Sequence, residues 1–141
     1  MMNQNLIFVP VLMQVLLVFM LYIQLGVKKA QAVKSGNVNR KKAALDTNEW
    51  PEYVIKISNN IGNQFETPII FYVLSIVVYL LSSVNIAVLT LSWIYVISRY
   101  AHAYIHTHSN YVPHRLRAFL VGVLILICIT LHLLNQILFS A

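Results

Sequence analysis

The sequence predicts an all-α fold, a transmembrane four-helix bundle forming a single integral-membrane domain over residues 1–141, on three observations. The composition is 59% hydrophobic and only 10% charged, against about 25% charged in ordinary soluble domains. Four apolar runs approach the roughly 20 residues that cross a bilayer, at about 6–27, 62–81, 84–103 and 117–138. The net charge of +6 is unevenly spread, with Lys28, Lys29, Lys34, Arg40, Lys41 and Lys42 between the first two runs and Arg99, Arg115 and Arg117 around the link between the last two.

The first run carries Pro10 in its opening turns, where a missing N–H costs least. Lys28 and Lys29 follow it and no small-residue cleavage site closes it, so it reads as an anchored span and not a signal peptide. A flexible loop over 28–48 comes next, marked by Gly36 and its neighbouring asparagines. Thr47 or Asn48 ahead of Glu49 and Pro51 predicts a helix start, and one long helix then runs from about Trp50 to Leu81. At 1.5 Å per residue that helix is about 48 Å long, more than a ~30 Å hydrocarbon core, so its first third projects into the cytoplasm or the headgroups. Pro68 is expected to bend it. "SSVN" turns the chain, a third helix returns to about His106, and Pro113 opens the fourth. The single cysteine, Cys128, precludes a disulfide within the chain and reads as an inert buried thiol.

The positive-inside rule places both basic links in the cytoplasm and both chain ends on the far side. Nucleic acid is not an expected partner, because the basic loop lacks interleaved aromatics. Anionic headgroups suit it better.

Polar residues gather at one depth. Counting back from Leu81 and forward from Val84 puts Glu66 and Arg99 each about 6 Å inside the cytoplasmic boundary, with His102 near the edge and Arg115 and Arg117 level with it. Asn59, Asn63 and Glu66 fall at i, i+4 and i+7, and Arg99, His102 and His106 at i, i+3 and i+7, so each set shares a helical face. Nothing comparable is expected in the far half. The plain reading is a structural Glu66–Arg99 ion pair. The sharper one is a pocket for a polar or anionic ligand, since a cation such as Arg115 in a first helical turn opposes the macrodipole unless an anion binds there. His102 and His106 at i, i+4 could hold a metal or haem, but no second ligand cluster accompanies them and no metal ligand is assigned. His132 reads as a hydrogen-bonded core histidine.

"NQFETP", "RYAHAYIH" and "VPHRLRAFLVGVL" together resemble the MAPEG family, the membrane-associated proteins of eicosanoid and glutathione metabolism, and most closely its small bacterial members. The resemblance runs from the first span to the last. It implies a homotrimer in a bacterial inner membrane, with glutathione as thiol co-substrate between neighbouring protomers and a lipophilic electrophile or lipid hydroperoxide as the second substrate. By position, Asn59, Asn63, Glu66, Arg99, His102 and Arg115 would hold glutathione, with a contribution from Lys28 or Lys29. Arg115 and His106 would act on the thiol, with Tyr111 as another donor. Gly62 and Asn59 stand where well-studied members carry arginines, His106 where a tyrosine is common, and Leu116 where some carry serine. Against a glutathione transferase or peroxidase stand a non-enzymatic membrane module and a His-ligated metal or haem protein.

Overall fold

The computed structural model describes residues 2–139. The outermost residues of the expected domain, Met1, Ser140 and Ala141, lie outside that range. Six α-helices follow in order: α1 Phe8–Lys34, α2 Arg40–Ala43, α3 Glu52–Asn63, α4 Thr67–Leu80, α5 Ile86–Thr107 and α6 Val112–Phe139. No strand occurs among the described residues. Packed side by side, α1, the α3–α4 pair, α5 and α6 are the four rods of an all-α bundle.

Local chemistry sets the helix starts. The Asn85 side chain accepts a hydrogen bond from the Val88 N–H at 3.0 Å and caps α5, satisfying an amide that has no helical partner. Ahead of α3, Asp46 accepts from the Asn48 N–H at 2.8 Å and Thr47–Glu49 forms a single 3₁₀ turn. The helix expected from about Trp50, with its start signal at Thr47 or Asn48, begins at Glu52, after Pro51. The loop expected over 28–48 is also shorter, because α1 continues to Lys34 and α2 occupies Arg40–Ala43.

The long second helix is two helices. Regular hydrogen bonding stops at Asn63, and the Gln64 and Phe65 amides fold back to Ile61 and Gly62. Glu66 takes φ −102°, ψ −101°, and α4 restarts at Thr67 with Pro68 in its first turn. Pro68 opens a new helix instead of bending an old one, which suits a residue without an N–H.

The core runs in layers along the rods. Ile7, Val78, Val84, Val88, Ile129 and Leu133 pack at one end, Phe71, Tyr95, Val96 and Leu126 in the middle, and Leu17, Leu21, Ile57, Ile61 and Ala103 toward the other end. The outer faces remain apolar, with Leu12, Ile23, Val73, Leu80, Leu124 and Leu131 exposed. Helices apolar on all sides suit a lipid environment. Three stretches are long and apolar enough to cross a membrane: Gln4–Lys34, Glu52–Leu80 and Val112–Phe139. The expected 84–103 run, now α5, is not among them. It buries Ser92, Ser98, Arg99, His102 and His106 and turns Ile86, Ile94 and Ile97 outward.

Helices α5 and α6 form the most extensive pairing in the fold, and Gly122 lets them approach. A Cβ there would lie 3.2 Å from Ser98 Oγ and 3.4 Å from Tyr95 Cε2. Gly122→Leu is expected to cost about 1–3 kcal/mol by overpacking, measurable as a lower unfolding temperature in detergent. Cys128 faces outward on α6, so the expectation of a buried thiol is corrected. Helical phase puts Ile129, and not Cys128, on the inner stripe. The far half is also more polar than expected. Ser82, Ser83, Asn85, His132, Asn135 and Gln136 line a hollow there, and Asn85 Nδ2 lies 3.3 Å from His132 Nε2.

Candidate functional site

At the opposite end of the bundle, the break between α3 and α4 meets the ends of α5 and α6. Arg99, only 1% exposed, is the hub. Its Nη2 donates to the Asn63 carbonyl at 3.0 Å and to Gln64 Oε1 at 3.4 Å. The guanidinium thereby takes up a carbonyl left free where α3 stops. Gln64 Oε1 also accepts from Gln14 Nε2 at 3.0 Å, Gln64 Nε2 donates to Asn60 Oδ1 at 3.0 Å, and Asn60 Nδ2 donates to the Ala103 carbonyl at 3.2 Å. Gln14, Asn60, Gln64 and Arg99 are all buried. The network ties α1, α3 and α5 together where lipid would otherwise leave irregular backbone unsatisfied.

The expected Glu66–Arg99 ion pair does not form. The single salt bridge among the described residues joins Lys56 to Glu52 at 2.7 Å on the surface. The break carries Glu66 away from Arg99 and out to an exposed position, while Arg99 is engaged by backbone and amide oxygens.

Glu66 instead borders a cleft of about 230 Å³ lined by Asn63, Glu66, His102, Val112, Arg115, Leu116 and Phe119. Arg115 projects from the first turn of α6 and is braced through Nη1, which donates to Asn110 Oδ1 at 2.6 Å. Asn110 occupies the left-handed region at φ 51° in the turn after α5, a conformation asparagine tolerates better than most residues. Three buried nitrogens here have no hydrogen-bond partner: Arg99 Nε, His102 Nδ1 and Arg115 Nε. Buried polar groups are rarely left so, and two of the three belong to residues lining the cleft.

The structure thus brings Asn63, Glu66, His102 and Arg115 together around one hollow, with Arg99 behind Asn63. His106 is buried beside them and does not line the cleft. Its Nδ1 lies 3.4 Å from Asn63 Nδ2, which makes it a support for Asn63. Asn59 is exposed and faces a second hollow with Lys29, Trp50 and Ser58, because α3 turns Asn60 inward in its place. Lys28 donates to Gln31 at 3.2 Å, and Lys29 Nζ sits 4.8 Å from the Trp50 ring centroid. Neither lysine reaches Arg115's cleft. Tyr111 and Arg117 are exposed and do not line it. No group of three or more His, Cys, Asp or Glu side chains is placed to hold a metal ion among the described residues.

Sequence reasoning missed Gln14, Asn60 and Gln64. Gln14 had a usable signal, since an amide deep inside an apolar span must find an internal partner. Asn60 and Gln64 had one too, since they continue the apolar stripe of Val54, Ile57 and Ile61 along α3.

The cleft pairs a carboxylate with a guanidinium at a helix start and adds an unpaired imidazole nitrogen. It can hold a ligand bearing both an ammonium and an anion. The MAPEG family model matches residues 6–135. Comparison with curated proteins and with solved structures returns no match. By that match and its three long apolar stretches, the protein is an integral membrane protein.

Proposed function

Because this chain belongs to the MAPEG family, we propose that it binds glutathione in the Arg115 cleft and transfers it to lipophilic electrophiles, or uses it to reduce lipid hydroperoxides. The observation that carries the reading is the pair of unpaired buried nitrogens, His102 Nδ1 and Arg115 Nε, beside the unpaired carboxylate of Glu66 in one hollow. Glutathione would supply an ammonium to meet Glu66 and a thiol to meet Arg115.

Each residue then has a part. Glu66 would accept from the ammonium, and Asn63, held by His106, would orient the peptide. Arg99 fixes the α3 end from which Asn63 projects. Arg115 would favour the thiolate over the thiol, since a free thiol has a pKa near 8.5 and an adjacent cation lowers it. Free N–H groups of the first α6 turn add to that field. Val112, Leu116 and Phe119 give the cleft an apolar wall on which a lipid-soluble electrophile can rest. The nucleophile would be the thiol's own, with no protein group forming a covalent bond.

In the same reading the protein is a homotrimer. Asn59, which faces away from Arg115 within one protomer, would meet the cleft of a neighbour. The basic links and the cleft would face the cytoplasm, with both chain ends on the other side of a bacterial inner membrane.

Calorimetry on detergent-solubilised protein is expected to show glutathione binding at millimolar ligand or tighter, and Glu66→Gln to weaken it about tenfold through loss of one charge-assisted contact. Absence of heat with the wild-type protein at millimolar glutathione rejects the assignment. The alternative of a non-enzymatic module is favoured by the exposed Gly62 and Asn59 in place of arginines, and predicts that all these variants bind nothing and differ only in assembly.

A further inference from the structure

The link between α1 and α3 folds over a hollow of about 800 Å³, lined by Lys29, Ala30, Val33 and Lys34 of α1, Arg40, Ala43 and Ala44 of α2, and Thr47 and Trp50. None of these residues lines the Arg115 cleft. Three cations border the hollow and no carboxylate does. Asp46 and Glu49 lie nearby in sequence, but neither forms a salt bridge with any cation among the described residues. One wall is apolar, built from Ala30, Val33, Ala43, Ala44 and the Trp50 ring. Leu45 adjoins that wall in sequence and is 93% exposed, an expensive position for a leucine in water and a comfortable one in an acyl layer.

We propose that this hollow is a binding site for an anionic phospholipid headgroup, independent of the cleft at Arg115. Its depth is right, because α1 leaves the apolar span at Lys28 and Trp50 is a residue type that anchors at the membrane–water boundary. Its charge is right, because Lys29, Lys34 and Arg40 can each donate to phosphate oxygens, Arg40 in the planar fork that matches them. The cation–π contact of Lys29 with Trp50 keeps the ammonium at the rim without neutralising it. The apolar wall and Leu45 would receive the glycerol and upper acyl carbons. A soluble phosphate would use the cations and leave the apolar wall idle, which is why the lipid is the assigned occupant.

Reconstitution in nanodiscs of phosphatidylcholine doped with phosphatidylglycerol, followed by native mass spectrometry of retained lipid, tests this. Wild-type protein is expected to retain the anionic lipid in preference to phosphatidylcholine of the same chain length. Lys34→Gln with Arg40→Gln is expected to reduce that preference about tenfold or more, as follows from removing two surface-apposed cations. Lys41→Gln with Lys42→Gln removes the same charge from exposed residues outside the hollow and is expected to preserve it. Equal losses in the two double variants would mean a diffuse basic surface and overturn the site. No preference in the wild type, or complete displacement of the lipid by 10-fold molar excess inorganic phosphate, would overturn the lipid assignment. A helical circular dichroism signal common to all variants secures the comparison.

Discussion

Arg99→Met is expected to destabilise the protomer by about 3 kcal/mol, read as an earlier transition in a denaturing-detergent titration followed by circular dichroism. The substitution keeps most of the side-chain volume, so packing loss is minor and the effect is polar. It leaves the Asn63 carbonyl without the donor at 3.0 Å and takes from Gln64 Oε1 one of its two donors. A buried group stripped of its partner costs about 1–3 kcal/mol, and Gln64, 1% exposed, is beyond the reach of water. Arg99→Lys is expected to recover part of the loss, since both bonds leave one nitrogen, Nη2, and an ammonium can donate to either oxygen but sits on a shorter stem. If Arg99→Met proved as stable as wild type, the α3–α4 break would have to be held by something other than this guanidinium.

If the proposed thiol chemistry holds, Arg115→Gln is expected to leave the helical bundle assembled while reducing glutathione conjugation at pH 7 by about tenfold or more. The sign follows from the chemistry of the thiol. A cation beside it lowers its pKa, so at neutral pH the cation increases the thiolate fraction. Removing the charge returns the pKa toward about 8.5, and the lost rate should therefore reappear as the pH is raised past that value. A structural role for Arg115 predicts the opposite pattern, with assembly lost and no recovery in alkali. The turn between α5 and α6 keeps its backbone bonds, from the Asn110 N–H to the Ile105 carbonyl at 2.7 Å and from the Arg115 N–H to the Tyr111 carbonyl at 3.1 Å, so it is expected to survive and the two outcomes remain distinct.

Much of the architecture could be read from the residues because lipid imposes one rule on every span. Apolar runs of the right length become helices: α1, α4, α5 and α6 each overlap a run, while α3 lies mostly ahead of the second. Pro113 marked its helix start through local chemistry that no tertiary contact alters. What could not be read was anything set by helix phase after a break. Asn59 and Glu66 looked like one face with Asn63 only if the helix continued through Phe65. Within α3 the stripe of Val54, Ile57 and Ile61 carries Asn60 inward and leaves Asn59 outward, and past its end at Asn63 Glu66 leaves Arg99 for the cleft. His106 shared the predicted face with Arg99 and His102, but lies one turn too far along α5 to line the hollow and supports Asn63 instead. The far-side hollow at Asn85 and His132 escaped notice because its polar residues come from two separate turns of chain, "SSVN" and "HLLNQ", neither conspicuous alone.

Helix α4 has 14 residues, about 21 Å at 1.5 Å per residue, which falls short of a hydrocarbon layer of about 30 Å. With the far end of α4 at one face of that layer, the irregular joint at Gln64–Glu66 lies about 9 Å inside the other, and a thicker bilayer would bury it deeper. Hydrophobic mismatch of that kind costs fractions of a kcal/mol per ångström, with the carboxylate of Glu66 resisting immersion most. Membrane thickness thereby becomes a mechanical load on the joint, and short-chain lipids should suit this protein better than long-chain ones.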